Sequence, residues 1–438
     1  MTLNAMTNQP CIMKKSIIAI CCIFVFGFAN AQETANPELV SLVQKAFDYY
    51  PKFRELELAT QAAAVKVDMA RGQRLPVVNS HATFQYVTPV AEAKFGSPGQ
   101  EQTFSFQPHE NYNVGLDASG LIFDFGKTKA QIEKAISEAQ VSKGKLEAQR
   151  HAIAYQVAQV YYGLVFLKKS MAAQNETLAS LKANLDVVST KLRNGDALEL
   201  DELNAKVALA NAQNRMTDLQ ASLEKQQALL AMLTGVEHFE VTTQVFDFQA
   251  VKSEPTPAGN LELAVAQAKI GVAEKEITLN RKYLRPSLNY NGGLGFKNGY
   301  VPDINEMRFN WGAGLGISYP LYVGGRDRQQ LHLSQINLDA AKAAMEGVNQ
   351  NLQNEILQAE ADQKANETKF KNSEIIIEQA KLALHLADVR FRNGVASNTD
   401  VITAQSNLEQ AMLQSLQYEY QLGLSVLTLE RLSGRNFW

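Results

Sequence analysis

Two periodicities divide the chain. Apolar residues recurring every three to four positions mark helices, and strict alternation marks half-buried strands. Pro37-Glu38-Leu39 opens a helical stretch that runs to about Arg74, where Pro76 stops it by removing a donor and restricting the residue before it. Alternation follows. Val78, Ala82, Phe84 and Tyr86 share one face, and Asn79, His81, Thr83 and Gln85 the other. In the next strand Tyr112, Val114, Leu116, Ala118 and Ile122 oppose Asn113, Gly115, Asp117 and Ser119. A second helix, from near Asn260-Leu261-Glu262 to Pro286, precedes two more strands. Leu288, Tyr290, Leu294 and Phe296 oppose Asn289, Asn291, Gly293 and Gly295 in the first. Phe309, Trp311, Ala313, Leu315, Ile317 and Tyr319 oppose Asn310, Gly312, Gly314, Gly316 and Ser318 in the second.

The remaining pattern is helical and very long. No proline occurs from about Thr128 to Asn194, and Gly144 and Gly163 are the only glycines before the turn. A helix of that length spans roughly 100 Å at about 1.5 Å per residue, against three or four turns for an ordinary one. A matching stretch runs from Asp327 to about Arg392. After each long helix comes a heptad: Val401, Leu408, Ser415, Leu422 and Leu429, with Ala404, Ala411, Tyr418, Ser425 and Leu432 behind them. The earlier copy reads Glu202, Leu209, Met216, Leu223 and Leu230, with Ala205, Ala212, Leu219, Gln226 and Leu233. Such a seam predicts coiled-coil packing.

The copies stand at a fixed spacing. Leu192-Arg193-Asn194-Gly195 with Asp201 returns as Phe391-Arg392-Asn393-Gly394 with Asp400, 199 positions on. The same interval separates Gly126 from Gly325, and Leu233-Thr234-Gly235 from Leu432-Ser433-Gly434. One unit of about 200 residues is therefore written twice, too long for a solenoid repeat. We expect a first repeat over residues 32–252, a linker at 253–259 marked by Pro255 and Pro257, and a second repeat over 260–438. The first hairpin carries about 11 extra residues around Val90 to His109, rich in Gly, Pro, Ser and Gln, as a surface loop would be.

The N-terminus reads as targeting. Met13-Lys14-Lys15 supplies a basic start, Ile17 to Phe28 an apolar stretch, and Ala29-Asn30-Ala31 a cleavage site, so we expect a signal peptide over residues 1–31, with Met1 and Met13 both open as its start. About twelve apolar residues fall short of the roughly 20 that a spanning helix needs. All three cysteines (Cys11, Cys21 and Cys22) precede the cleavage site, which excludes disulfides and thiol chemistry from the mature chain. The formal net charge of −3 becomes about −5 once Lys14 and Lys15 are removed, and no basic tract remains for nucleic acid.

Four strands of about ten residues, apolar on one face and polar or glycine on the other, carry the signature of transmembrane barrel strands. A soluble sheet with one wet face would alternate equally. Aromatics near the strand ends and a secretory signal with no spanning helix behind it favour the barrel. Four strands cannot close one, and lipid does not accept an open edge. Two chains would give eight strands and a filled interior; three would give twelve and room for a channel. The helices would then project into the periplasm.

The duplicated helix–strand–strand–helix order, the Arg-Asn-Gly turns and the Asp six residues past each glycine resemble the TolC-like outer-membrane efflux family, over about Pro37 to Gly434. That resemblance implies a mainly α chain with a transmembrane β-barrel portion. It implies a homotrimer whose twelve-stranded barrel sits in outer-membrane lipid and continues into a long α-helical, coiled-coil periplasmic tunnel. It also implies a periplasmic adaptor protein and an inner-membrane transporter as partners, in a tripartite efflux or type I secretion system passing drugs, metals, siderophores or proteins.

By the same resemblance the functional residues lie at the two turns. Asn194, Gly195 and Asp196, with Asn393, Gly394 and Val395, would meet the adaptor, and Asp201 and Asp400 would ring a periplasmic gate. From the residues alone, the glycines are helix C-caps and the acids suit the positive end of a helix dipole. The family's second acid falls on Thr403 and its gate-linking arginine on Ala396, which puts an arginine–acid lock in doubt.

Nothing points to an enzyme, a cofactor or a metal. His81, His109, His151, His238, His332 and His385 form no ligand spacing, and no phosphate loop, dinucleotide fingerprint or Gly-x-Ser-x-Gly appears. Gly292-Gly293-Leu294-Gly295 reads as strand. The other reading is a periplasmic coiled-coil scaffold or adhesin without a pore. Phe437-Trp438 resembles a terminal barrel-assembly signal but follows a helix.

Overall fold

The computed structural model describes residues 36–243, 246 and 255–438. The signal segment, and linker residues 253 and 254, lie outside the described residues.

Helix α1 (Pro37–Tyr49) begins with Pro37 at a position needing no N–H donor, and Asn36 Oδ1 accepts from Glu38 N at 3.0 Å. The single helix expected as far as Arg74 is in fact two. Pro51 cannot continue the hydrogen-bond ladder, so the chain extends at Tyr50 (ψ 118°) and restarts as α2 (Pro51–Gly72). Strand β1 (Val77–Tyr86) follows. The loop expected near Val90 to His109 contains a small hairpin, β2 (Glu92–Phe95) and β3 (Gln102–Ser105). Next come β4 (Glu110–Phe123), α3 (Lys127–Arg193) and α4 (Glu199–Thr234). The second half runs α5 (Leu261–Asn280), β5 (Ser287–Lys297), β6 (Arg308–Ser318), α6 (Arg326–Arg392) and α7 (Asn398–Leu432).

Both α3 and α6 have 67 residues, and they start and stop 199 positions apart. The glycines bounding them share the left-handed backbone that permits a tight reversal: φ is 82° at Gly126 and Gly195, 73° at Gly325 and 71° at Gly394.

The main sheet is antiparallel, in the order β1-β4-β5-β6. Its register puts Phe84 beside Tyr112, Val114 beside Phe296 and Leu294 beside Trp311, so the alternating apolar positions fall on one face. The helices form an open row. Next to the sheet the neighbours run α2-α3-α5-α6; further along they run α4-α3-α7-α6. The largest core lies around the middle of α3, from Ile153 to Val165, where α1 and the C-terminal ends of α4 and α7 converge. There Tyr161 is fully buried and donates to Glu38 Oε2 at 2.8 Å, and burial pushes its hydroxyl up to about 12. Phe437 and Trp438 belong to this core: the Trp438 ring packs edge-on against His151 at 4.8 Å.

Candidate functional site

Two surfaces stand out, one at each end of the molecule. At the first, the sheet leaves its apolar face uncovered. Phe84, Leu294, Phe309, Leu315 and Ile317 are exposed, and Trp311 is 74% exposed. Aromatic pairs cross the strands at that face, Phe84 with Tyr112 at 5.1 Å and Phe296 with Phe309 at 5.7 Å. The opposite face carries Gly293, Gly295, Gly312 and Gly314, and His81 Nδ1 lies 2.7 Å from Asp117 Oδ2. A contiguous apolar face this large needs an apolar partner, and ten- to fourteen-residue strands match a bilayer. Among the described residues no helix is long and apolar enough to cross a membrane. Strands β1 and β6 have no partner on their outer edges among the described residues.

The second surface is the pair of helix turns. Asn194 and Asn393 end their helices, and Gly195 and Gly394 reverse the chain. Asp196, Asn194 and the two glycines are exposed, and Val395 is exposed with no apolar cover. The acids act locally. Asp400 Oδ2 accepts from Ser397 N and Ser397 Oγ, both at 2.9 Å, while Ser397 Oγ accepts from Asp400 N at 3.3 Å, a reciprocal capping box. The Ser397 backbone N–H, and then its hydroxyl, hold the Asp400 carboxyl below its ordinary value. Asp201 Oδ2 accepts from Leu198 N at 3.2 Å, but Leu198 has no side-chain acceptor to return the bond. Thr403 Oγ1 donates to Thr399 O at 2.8 Å within its own helix. The structure thus puts the two acids at equivalent helix starts, each bonded to its own cap residue.

Sequence reasoning missed the polar side chains that tie the helices together above the turns. Asn398 is fully buried; its Oδ1 accepts from Asn184 Nδ2 at 2.9 Å and its Nδ2 donates to Asp201 O at 3.2 Å, joining α7 to α3 and α4. Lys191 Nζ donates to Phe391 O at 2.9 Å, adding a bond from α3 to a carbonyl at the end of α6 that also accepts from Gly394 N. Glu202 bonds Ser189 and Lys206, and the Lys206 ammonium, followed by the Ser189 hydroxyl, lowers its carboxyl. Arg215 meets Glu409 at 2.8 Å, and Lys169 meets Glu419 at 3.0 Å. Apart from the i,i+4 pair Glu202–Lys206 within α4, these residues carry no spacing signal, because their partners come from other helices. Among the described residues no group of three or more His, Cys, Asp or Glu side chains gathers as a metal site would require.

An outward apolar sheet at one end and helices of about 100 Å at the other define a subunit of an outer-membrane channel. The chain belongs to the outer membrane efflux protein family, which matches residues 42–236 and 256–435. It is similar to outer membrane protein OprJ of Pseudomonas aeruginosa, 24% identical over 84% of this chain and 78% of that one. It is also similar to the pyoverdine export outer membrane protein OpmQ of Pseudomonas putida, 22% identical over 91% of this chain and 86% of that one. Among solved structures, CusC superposes with a TM-score of 0.79 at 18% identity, covering 91% of this chain and 92% of that one. The Campylobacter jejuni CmeC outer membrane channel gives 0.74 at 19%, over 91% and 86%. The protein is an outer-membrane efflux channel with its helices in the periplasm. The family is one of channel proteins. The reading as a pore-less scaffold or adhesin finds no support.

Proposed function

We propose that three copies close into one twelve-stranded barrel and one continuous helical tunnel, with the Gly195 and Gly394 turns forming an entrance that meets a periplasmic adaptor and, through it, an inner-membrane pump. One observation carries this reading: the sheet and the helical row are open at corresponding edges. The sheet ends in β1 and β6, and the helices next to it end in α2, which precedes β1, and α6, which follows β6. Joining β6 of one copy to β1 of the next sets α6 against the neighbour's α2. Both helices carry apolar residues where that contact falls. Leu58, Val65 and Met69 lie about 160–200° around α2 from buried Val67, and Leu333 and Ile336 about 160–220° around α6 from buried Leu338, at about 100° per residue. All five are exposed in the single chain.

Residues 1–31 serve as the signal that delivers the chain, and the two repeats supply the near-sixfold character of the tunnel. Asp201, Asp400 and Thr403 line the entrance, where the acids cap helices and contribute negative potential. Substrate is chosen upstream. Relatives include proteins of pyoverdine export and of cobalt-zinc-cadmium resistance, so a small molecule or a metal ion is the cargo class that fits.

Native mass spectrometry of the detergent-purified chain tests the assembly; a trimer is expected, and a monomer would refute it. Photo-crosslinkers beside Gly195 and Gly394 test the adaptor contact: mass spectrometry should find one periplasmic partner, and no crosslinked partner at either turn would refute the contact.

A further inference from the structure

The Asp201 and Asp400 carboxylates bond to their own helix caps, so a contact of another kind is needed to hold the copies together at the entrance. We propose that the entrance is kept closed by an apolar seam between copies, Leu200, Leu203 and Val207 on α4 of one copy against Leu382, Leu386 and Val389 on α6 of the next. The inference rests on the trimeric reading above and adds to it the force that holds the gate.

The helical row near the turns runs α4-α3-α7-α6, so α4 and α6 are its two free edges and trimer closure brings them together. Within its own chain α4 buries Ala205, Ala212 and Met216, and at about 100° per residue Leu200, Leu203 and Val207 lie about 160–220° from Ala205. They point directly away from α3. On α6 the buried reference is Ser373, and Leu382, Leu386 and Val389 lie about 160–220° from it, directly away from α7. Two edge helices therefore present apolar stripes toward the position where a neighbour must come.

The depths agree as well. At about 1.5 Å per residue, Leu200, Leu203 and Val207 stand about 1.5, 6 and 12 Å above the start of α4 at Glu199. Val389, Leu386 and Leu382 stand about 4.5, 9 and 15 Å above the end of α6 at Arg392. The helices run antiparallel and the two turns sit at the ends of helices of equal length, so the stripes meet within one helical turn of register. In the single chain Leu203 is 51% exposed and Leu386 is 53% exposed, unusual for leucines in an ordered helix that buries its opposite face. Opening the entrance would return these six side chains to water, and that cost keeps it shut.

An apolar seam and an ionic lock respond differently to salt. Screening weakens exposed ion pairs, whereas apolar burial does not loosen as salt rises. Conductance of the purified trimer in planar bilayers, normalised to bulk conductivity, is expected to stay low and flat as potassium chloride rises. Leu203→Ser combined with Leu386→Ser should raise normalised conductance severalfold while native mass spectrometry still reports a trimer. The mature chain has no cysteine, so Leu203→Cys combined with Leu386→Cys, or with Val389→Cys to cover a half-turn difference in register, should give chain-to-chain disulfides on oxidation. Those disulfides should hold conductance at its low value. A trimer that forms neither disulfide and conducts alike with leucine or serine would overturn the seam and leave the assembly standing. A monomer would remove both.

Discussion

Helices α4 and α7 occupy equivalent places in the two halves and live in different surroundings. Each follows a 67-residue helix and a left-handed glycine. Yet α7 lies inside the row, between α3 and α6, while α4 lies at its edge with α3 as its main partner. The side chains follow that difference position by position. Ser397, Asn398, Val401, Glu409 and Glu430 on α7 correspond, 199 residues earlier, to Leu198, Glu199, Glu202, Ala210 and Ala231 on α4. On the interior helix Asn398 and Glu409 are buried polar groups bonded from neighbouring helices, whereas Leu198 on the edge helix is exposed; Val401 and Glu202 run the other way, apolar inside and charged at the edge. Duplication preserved the backbone; location in the row decided the side chains.

The sharpest way to break the comparison is at Glu409, which is 3% exposed and depends on Arg215 for its partner. Arg215→Met would leave that carboxylate buried and unpaired, at a cost of about 3 kcal/mol. A matching loss of thermal stability in detergent is expected, largely recovered when Glu409→Gln is added. If Arg215→Met melts with the wild type, the tie between α4 and α7 is not what holds the edge helix in place.

How much of this was legible in the sequence depends on range. The strand faces, the long helices and the two turns rest on local period and on glycine, and Phe84, Trp311, Gly195 and Gly394 sit where alternation and repeat spacing put them. Pro51 was also local, and its interruption of the first helix could have been read from the residue itself. The segment from Val90 to His109 looked like a loop because its glycines and prolines hide two four-residue strands. Asn398 and Glu409 could not be found: their partners, Asn184 and Arg215, are 214 and 194 positions away, and only the packed row brings them together. The outward leucines of α4 read as ordinary helix until their buried counterparts were known.

A smaller effect is expected at Asn398, the fully buried residue that replaces the exposed Glu199 of the first half. Asn398→Ala leaves the Asn184 amide without this partner, removes the second bond to the Asp201 carbonyl and should cost about 2 kcal/mol, whereas Glu199→Ala should stay within about 0.5 kcal/mol. Paired melting curves decide it; equal shifts would mean that the polar tie adds nothing to the interior helix.

Glu430 gives the comparison a pH dependence. Burial raises its carboxyl to about 7, with Arg435 pulling the other way. The unfolded chain releases this proton near the ordinary value of about 4.3, so between there and about 7 the folded state holds a proton that the unfolded state has lost. Stability from this group therefore falls as pH rises through that window and stays reduced above it. Glu430→Gln should stabilise the protein at pH 8 and do little at pH 4, by an amount of about 1–2 kcal/mol given its partial exposure to solvent screening. A gain that did not change with pH would be packing, not titration.

The mildest test rebuilds on α4 the cap that α7 already has. Ser397 and Asp400 bond reciprocally, and because hydrogen bonding lowers the Asp400 carboxyl, that cap is complete above the ordinary aspartate range and fails as pH drops through the lowered value. At Leu198 the second half of the box is missing. Leu198→Ser supplies an acceptor for the Asp201 N–H and should stabilise the start of α4 by about 1 kcal/mol, because Leu198 is 69% exposed and leaves no hole in its own chain. Ser397→Leu should cost a similar amount. If Leu198→Ser instead destabilises the assembled protein, the lost leucine was covered by something outside its own chain. In that case the edge helix has a neighbour at its very tip, and the apolar contact reaches two residues past Leu200, to the cap itself.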